Sequence, residues 1–503
     1  MFVRKKNNIS GIVSIQVIDK SSGKYKLLKT IGSSSDKNEI TRLVLKGKQW
    51  IQSKTGLTEF DFTDYQQHTD FVLDGITQIN VHGTELLIGK LFDEIGFNTI
   101  PDNIFKLLVL ARLSFPVSKL KTTDFLSKYH FINIDVHHVY RYLDKLYDTQ
   151  KELVQQISYT HTLQILHKEI SIVFYDVTTL YFEAEQEDDL RKTGFSKDGK
   201  HQHPQIVLGL LVSIDGYPLA YDIFEGNKFE GHTMLPIIEA FKEKYKLNKL
   251  VVVADSGLMS ASNIDELQLK GYEYIIGARI KNEKKNIQEK ILAVALDNGE
   301  SAYIQKDKYS KIIISYSDKR AAKDKHNRER GLQKLEKQIQ SGKLTKSNIN
   351  NKGYNKYLKL EGEVKISIDK TKLTNASKWD GLKGYITNTT LTKEEIIENY
   401  SHLWKIEKAF RISKTDLQIR PIYHRLQRRI EAHICIAFVA YKIYKELERQ
   451  LKNKLSMLSP EKAIEIAKTI YAVKVEHPIT KNVTYKTILI TEEQKYLAEI
   501  FEF

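Results

Sequence analysis

The sequence predicts an α/β protein: a mixed β-sheet flanked by helices, interrupted by an insertion subdomain and preceded by a mainly helical N-terminal region. Three observations carry this. Ile172-Val173-Phe174-Tyr175 and Leu250-Val251-Val252-Val253-Ala254 are short apolar runs closed by turn residues, the pattern of buried strands. Gln205 to Ile214 and Tyr217 to Phe224 are two more strands, joined at the hairpin turn Asp215-Gly216. Helical patterns over Thr233–Lys246 and Ser260–Lys270 alternate with strands, and Tyr272–Ala278 follows, giving the order β-β-β-α-β-α-β.

Upstream, residues 11–18 partly alternate and Tyr25–Ile31 is a second extended run. The turn sequence Asp19–Gly23 between them predicts a hairpin. Ser35 or Asp36 then caps a helix with Ile40, Leu43, Val44, Trp50 and Ile51 on one side. Residues 55–83 read as a mixed connection with a second short hairpin. Residues 85–150 are helical: Leu86, Leu87, Leu91 and Phe92 space as one amphipathic helix, and Ile104, Leu107, Leu108, Leu110 and Leu113 as another. A helix over Lys119–Tyr129, a break at Phe131–Ile134 and a helix over Asp135–Leu146 fit a DNA-contacting helix-turn-helix, with Tyr140, Arg141 and Lys145 on its second helix, or an ordinary helical hairpin.

Residues 281–378 interrupt the sheet pattern with a long polar helix around Lys323–Gln340 and strand-like pieces at Ile312–Ser315 and Glu363–Ile368. The main fold resumes in the strand Gly384–Thr387, followed by one helix from about Thr392 to Ile412 and a more apolar one over Arg425–Arg449. The remainder mixes a helix with an extended stretch at Val483–Ile490. The expected division is 1–150, 170–280, 281–378, 379–450 and 451–503.

At 503 residues the chain can bury a large core without staples, and its single cysteine, Cys435, excludes an intrachain disulfide or a cysteine-based metal site. This fits a reducing cytoplasm. The longest apolar run, Ile434 to Tyr441, is far short of the roughly 18 residues a membrane span needs, and no secretory signal is visible at the start. The net charge of +15 is uneven. Residues 301–360 hold 16 Lys/Arg against 5 Asp/Glu, and residues 401–430 hold 8 against 2. Clustered positive charge suits a phosphate backbone, or a merely solvated surface.

Three acids occupy distinctive places. Asp176 follows the run Ile172–Tyr175, and Asp255 follows Leu250–Ala254. Strand carboxyl ends are where open sheets place their sites. A poorly solvated carboxylate there needs a counter-charge, which a cation such as Mg²⁺ supplies; a turn or cap role is the alternative. Glu407 lies between Tyr400 and Lys414 at spacings of seven, nearly two helical turns, so a continuous helix puts all three on one face. Lys405, Lys408, Arg411 and Arg420 surround it, which also fits a plain ion-pair network.

Together these stretches resemble a family, the DDE transposases of bacterial insertion sequences, in the insertion-sequence-four group. The matching text is FYDVTTLYF around Asp176, GFSKDGKHQHPQIVLGLLV, GYPLAYDIFEGNKFEGHTMLP, VVVADSGLMS around Asp255, GYEYIIGAR, WDGLKGYITN, NYSHLWKIEKAFRISKTDL around Glu407, and RPIYHRLQRRIEAHI. The resemblance covers about residues 170–280 and 379–440. It implies an RNase H-like core whose catalytic, metal-holding trio is Asp176, Asp255 and Glu407, with an insertion between the second Asp and the Glu. The family's signature helix, Y-x2-R-x3-E-x6-K, is matched by Tyr400, Glu407 and Lys414, while Leu403 stands at the Arg position. The implied chemistry is phosphodiester cleavage and transesterification with two Mg²⁺ about 4 Å apart, Mn²⁺ substituting. The implied partners are double-stranded DNA, as terminal inverted repeats and target, and a second copy in a homodimeric DNA complex. Tyr400, Lys405, Lys414, Arg411 and Arg420 are the expected DNA contacts, and the bacterial cytoplasm and nucleoid the expected location.

Three rivals stand beside this reading: a metal-dependent nuclease of the same fold that cuts without joining; a non-enzymatic transposase-derived DNA-binding protein, whose signature would be loss of an acid; and, more remote, a two-carboxylate glycosidase, disfavoured by the basic clusters. Among weaker candidates, His201 and His203 alternate as a metal pair would but follow a solvated loop. His433 reads as a core histidine, and Trp379 as a packing residue rather than a base-stacking one. Thr178 reads as a turn cap rather than a ligand contact, and the acids from Glu183 to Asp189 as a solvated loop.

Overall fold

The computed structural model describes residues 1–9, 11–55, 73–167, 170–183, 186–196, 199–258, 260–350, 352–361, 365–477 and 481–503. The chain forms two compact units, Met1–His82 with Ile470–Glu492, and Gly83–Thr469 with Glu493–Phe503.

In the first unit, Phe2–Asn7, Val13–Asp19 and Lys26–Ser34 make a three-stranded antiparallel sheet. The expected hairpin is its second and third strands; the first strand, with Arg4, Lys5 and Lys6 in a row, gave no alternating signal. The Asp19 carboxylate accepts from Ser21 N (3.1 Å) and Ser21 Oγ (2.8 Å), and Gly23 takes φ +79°, which closes the turn. Asp36 caps the helix Lys37–Thr55, accepting from Glu39 N at 3.0 Å. The second hairpin expected within 55–83 lies largely outside the described residues. The described end, Ile76–Val81, is instead one edge of a three-stranded antiparallel sheet whose centre is Tyr471–Glu476 and whose other edge is Val483–Ile488.

In the second unit, eight strands form one sheet: β1 (Ile172–Tyr181), β2 (Gln205–Ser213), β3 (Pro218–Glu225), β4 (Val251–Ala254), β5 (Glu273–Ala278), β6 (Ser301–Gln305), β7 (Lys311–Tyr316) and β8 (Leu382–Thr387). The spatial order is β6-β7-β8-β5-β4-β1-β2-β3. The β1–β4 and β4–β5 pairs are parallel and every other pair is antiparallel. The core is therefore the expected mixed sheet, and the insertion does not form a separate domain: its strands β6 and β7 extend the sheet beyond β8. Local propensity cannot show this, because it fixes a strand but not its neighbour. The helix α3 (Asp318–Gln340) and a two-stranded ribbon, Leu358–Glu361 with Lys365–Ile368, complete the insertion. Trp379 is buried with Ile287, Ile291, Ile304 and Ile312, a packing position.

Each face of the sheet carries helices. Val173, Tyr175, Val177, Val252 and Ala254 pack with Leu235, Ile238 and Phe241 on one face. The other face receives α4 (Lys393–Ser401), α5 (Trp404–Thr415) and the long apolar helix α6 (Gln427–Asn453): α4 packs on β4 and β5, α5 on β1, and Phe410, Ile434 and Phe438 meet Leu208 and Leu210 of β2. The expected continuous helix from Thr392 to Ile412 is thus two helices, broken at His402 and Leu403. Upstream, Asn103–Ser114 leads to α1 (Lys119–His130) and α2 (Val136–Lys145), the expected helix–break–helix. Ser118 and Asp135 cap them, and Phe131 ends α1 in the left-handed conformation. Among the described residues no helix is long and apolar enough to cross a membrane.

Candidate active site

Asp176 does not end its strand. β1 runs five residues further, because β2 pairs with it as far as Tyr181. On the other side, β4 pairs with β1 only from Ile172 to Tyr175. Asp176 therefore sits where the parallel pair stops and the interior of the sheet opens. The parallel register matches Ile172 to Val251 and Tyr175 to Ala254, an offset of 79; Asp176 and Asp255 share that offset, one step beyond the last pair. In-register residues of neighbouring parallel strands point to the same face, with strands about 4.8 Å apart. Asp176 also pairs with Leu210, which faces α5 and α6. Both acids thus face the helical layer that carries Glu407. Thr178, buried and paired with Leu208, is a strand residue rather than a turn cap.

The break at His402–Leu403 removes the simple seven-residue relation between Tyr400 and Glu407, which now lie on different helices. Glu407 and Lys414 share α5, so their common face stands. Tyr400 reaches the acids by another route. It is 7% exposed, and its hydroxyl donates to Asp255 Oδ1 at 3.1 Å. Burial first, then the Asp255 charge, raises the phenol far above its ordinary value, so it stays a donor. Gly277 on β5 makes room: a Cβ there would stand 2.5 Å from the Tyr400 hydroxyl.

The expected cations scatter. Lys405 Nζ donates to the Ile214 carbonyl at 2.6 Å and lies 3.9 Å from Asp215, anchoring the β2–β3 turn. Lys408 pairs with Glu448. Arg411 is exposed, Lys414 is half-buried, and Arg420 lies 5.6 Å from the Tyr181 ring. Leu403, at the signature Arg position, is buried. Sequence reasoning missed a cation that the fold does bring in. Lys383 of β8 sits 4.5 Å over the Tyr400 ring and 5.2 Å over Tyr385, within the fields of Asp255 and Glu407. Burial lowers its pKa, and Arg320 from the first turn of α3 adds to that. The signal was present in WDGLKGYITN, a lysine inside an otherwise apolar strand run.

The minor candidates resolve simply. His433 is buried with Nε2 3.0 Å from the Ile419 carbonyl, a core histidine. His201 is exposed and its Nδ1 accepts from Ser196 N at 3.3 Å. In the acidic run, Asp188 bonds Arg191 Nε at 2.6 Å and Glu187 accepts from Thr193 Oγ1 at 2.5 Å, so these acids shape the loop; Glu185 lies outside the described residues.

Asp176 and Asp255 present carboxylate oxygens, the hard donors a divalent cation takes, to the side of the sheet that the Glu407 helix covers. Among the described residues no three His, Cys, Asp or Glu side chains are gathered tightly enough to hold a metal ion.

The family model for the transposase DDE domain matches residues 167–443, more than half of the chain. The chain belongs to the DDE transposase family. The matched segment runs from just before β1 into α6 and contains all three acids. This transposase is an enzyme of DNA strand cleavage and strand transfer, and its family works with divalent metal ions. No curated protein matches the chain. Among solved structures, a piggyBac transposase synaptic complex with hairpin DNA shares 10% identity over 82% of this chain and 81% of that one, with a TM-score of 0.37. A Mos1 transposase paired-end complex with left transposon end shares 14% over 46% and 66%, with a TM-score of 0.16. These likenesses are too low to define a shared architecture.

Proposed function

We propose that Asp176, Asp255 and Glu407 are the acids that hold the transposase's divalent metal, Mg²⁺ by preference, and that the enzyme cuts and joins duplex DNA at terminal inverted repeats as a homodimer on DNA. The shared register of Asp176 and Asp255 inside the family-matched segment is the observation that carries this. The bound metal would supply charge neutralisation at the scissile phosphate and a more acidic water or 3′-hydroxyl. The rest falls to this chain's side chains. Tyr400 donates to one oxygen of Asp255, fixing the carboxylate's rotation and leaving its second oxygen to face the substrate. Lys383, over the Tyr400 ring and within the fields of Asp255 and Glu407, would supply the positive charge for a phosphate oxygen that Leu403 does not. Lys414, on the Glu407 helix, holds a neighbouring phosphate, with Arg411 and Arg420 further along. Tyr400, Glu407 and Lys414, at the signature spacing, support placement in the insertion-sequence-four group.

A strand-transfer assay tests the reading. A pre-cleaved duplex end and a target plasmid, incubated with enzyme and Mg²⁺, should give joined product. Cleavage without joining would favour the nuclease alternative.

Two further expectations concern Tyr400 and Lys383. Tyr400→Phe should lower the cleavage rate about tenfold, the worth of one hydrogen bond to a charged group. Gly277→Ala should reproduce that loss, since its methyl displaces the hydroxyl from Asp255. Full activity in both variants would remove Tyr400 from the site. Lys383→Ala should weaken binding of end DNA by about tenfold while leaving the melting temperature unchanged or higher, because a partly buried charge is removed. Equal affinity in a gel-shift titration would show that Lys383 only packs on Tyr400.

A further inference from the structure

A cavity of about 500 Å³ opens between the helix pair α1–α2 and the segment that follows α5. Its lining is unusual in charge. Arg112, Lys119, Lys121, Arg420, His424 and His433 all face it, and no acidic side chain is among the described residues that line it. Three of these groups are at least nine-tenths buried: Arg112, Lys119 and His433 are 5%, 4% and 6% exposed. Arg112 Nη1 reaches the carbonyls of Leu417 and Gln418 at 3.4 Å, but its Nε has no hydrogen-bond partner, nor has Nδ1 of His433. The neighbouring charge that acts on Lys119 is Arg112, of the same sign. An unpaired buried guanidinium N–H beside a like-charged lysine costs stability, so the arrangement points to a partner of opposite charge. The first turn of α1, a twelve-residue helix, lines the same cavity and adds its positive end.

We propose that this cavity binds a phosphate group, delivered by the backbone of DNA lying along α1 and α2. An oxyanion with several acceptor oxygens satisfies the buried donors of Arg112 and Lys119 together. Binding would favour the charged forms that burial opposes: burial pushes His424 down to about 3, Arg112 down to about 10, and Lys119 well below an ordinary lysine. It would also tie the helix pair to residues 417–424, immediately behind the helix that carries Glu407. The site stands on its own lining and does not depend on the acid trio.

Inorganic phosphate titrated into the full-length protein by calorimetry tests this, with sodium chloride at matched ionic strength as the control. The wild type should bind one phosphate per chain saturably. Lys119→Met should weaken phosphate at least about tenfold, and Lys119→Arg should recover part of the loss. Lys119→Met should fold well and melt at higher temperature, because burial disfavours the charged lysine in the folded chain relative to the unfolded one, a cost that applies below the ordinary lysine pKa and that Met does not carry. Absence of saturable phosphate binding to the wild type, or equal binding by Lys119→Met, overturns the site. A short duplex should displace the bound phosphate; phosphate retained under saturating duplex overturns the backbone as its source and assigns the cavity to a free phosphate.

Discussion

Asp176→Ala, Asp255→Ala and Glu407→Ala should each lower metal-dependent cleavage of end-bearing duplex by at least about a thousandfold, the several kcal/mol that metal-held charge stabilisation contributes. Folding should survive. Asp255 and Glu407 are exposed, and Asp176 is only half-buried, with its Oδ1 accepting from Val177 N at 2.8 Å. None of them fills the apolar core, so truncation leaves no cavity there. DNA affinity should hold or rise, because each change removes negative charge beside a phosphate track. Single-turnover cleavage in Mg²⁺, beside gel-shift and melting measurements on the same preparations, separates these effects. A variant that cleaves within tenfold of wild type leaves the trio, and a variant that melts early has reported on folding instead. Asp255 carries the sharpest expectation, because its loss also frees the Tyr400 hydroxyl. Asp255→Ala and Asp255→Ala/Tyr400→Phe should therefore be equally inactive, with no additivity between neighbours that act as a unit.

The second large effect is expected from α3. Lys319, Lys323, Lys325, Arg330, Lys334 and Lys337 are all exposed along this helix, whereas Arg328 is engaged with Asp380 at 2.5 Å. Replacing the six exposed cations with Gln should weaken DNA binding and flatten its salt dependence, by about 0.9 in the slope of log K against log salt for each phosphate that a cation no longer neutralises. Exposed helical lysines contribute little to stability, so melting should barely change. A weaker affinity with an unchanged slope would point to altered folding rather than to counterion release, and an unchanged affinity would make the helix a solubilising surface. Arg320 belongs to a different group, since it reaches the Lys383–Tyr385 neighbourhood; its removal should act on cleavage together with Lys383 rather than on the salt slope.

How much of this was legible in the sequence follows from the range of each interaction. Apolar runs such as Ile172–Tyr175 and Leu250–Ala254 identified buried strands, and the acids directly after them marked candidate positions, because strand burial and turn chemistry are written in neighbouring residues. The clustered charge of residues 301–360 was equally plain. Register was not. That Asp176 and Asp255 share an offset of 79 depends on pairing between segments far apart in the chain. Asp176 also lies in mid-strand, because β2 continues to pair after β4 has stopped. The expected helical face joining Tyr400, Glu407 and Lys414 failed at His402–Leu403, where no proline or glycine announces a break. The two resulting helices pack on different strands, α4 on β4 and β5 and α5 on β1, a tertiary demand that local propensity does not record. The buried cations Arg112 and Lys119 carried no local sign of their surroundings, and the apolar run around Lys383 showed its burial but not its neighbours, since the nearest charges are set by partners from remote segments. The sequence by itself determined the kinds of element, the family and the acids to propose; the tertiary structure decided which strands are neighbours, that Asp176 and Asp255 share a register and which cations stand near them, because those relations are made by long-range pairing and packing.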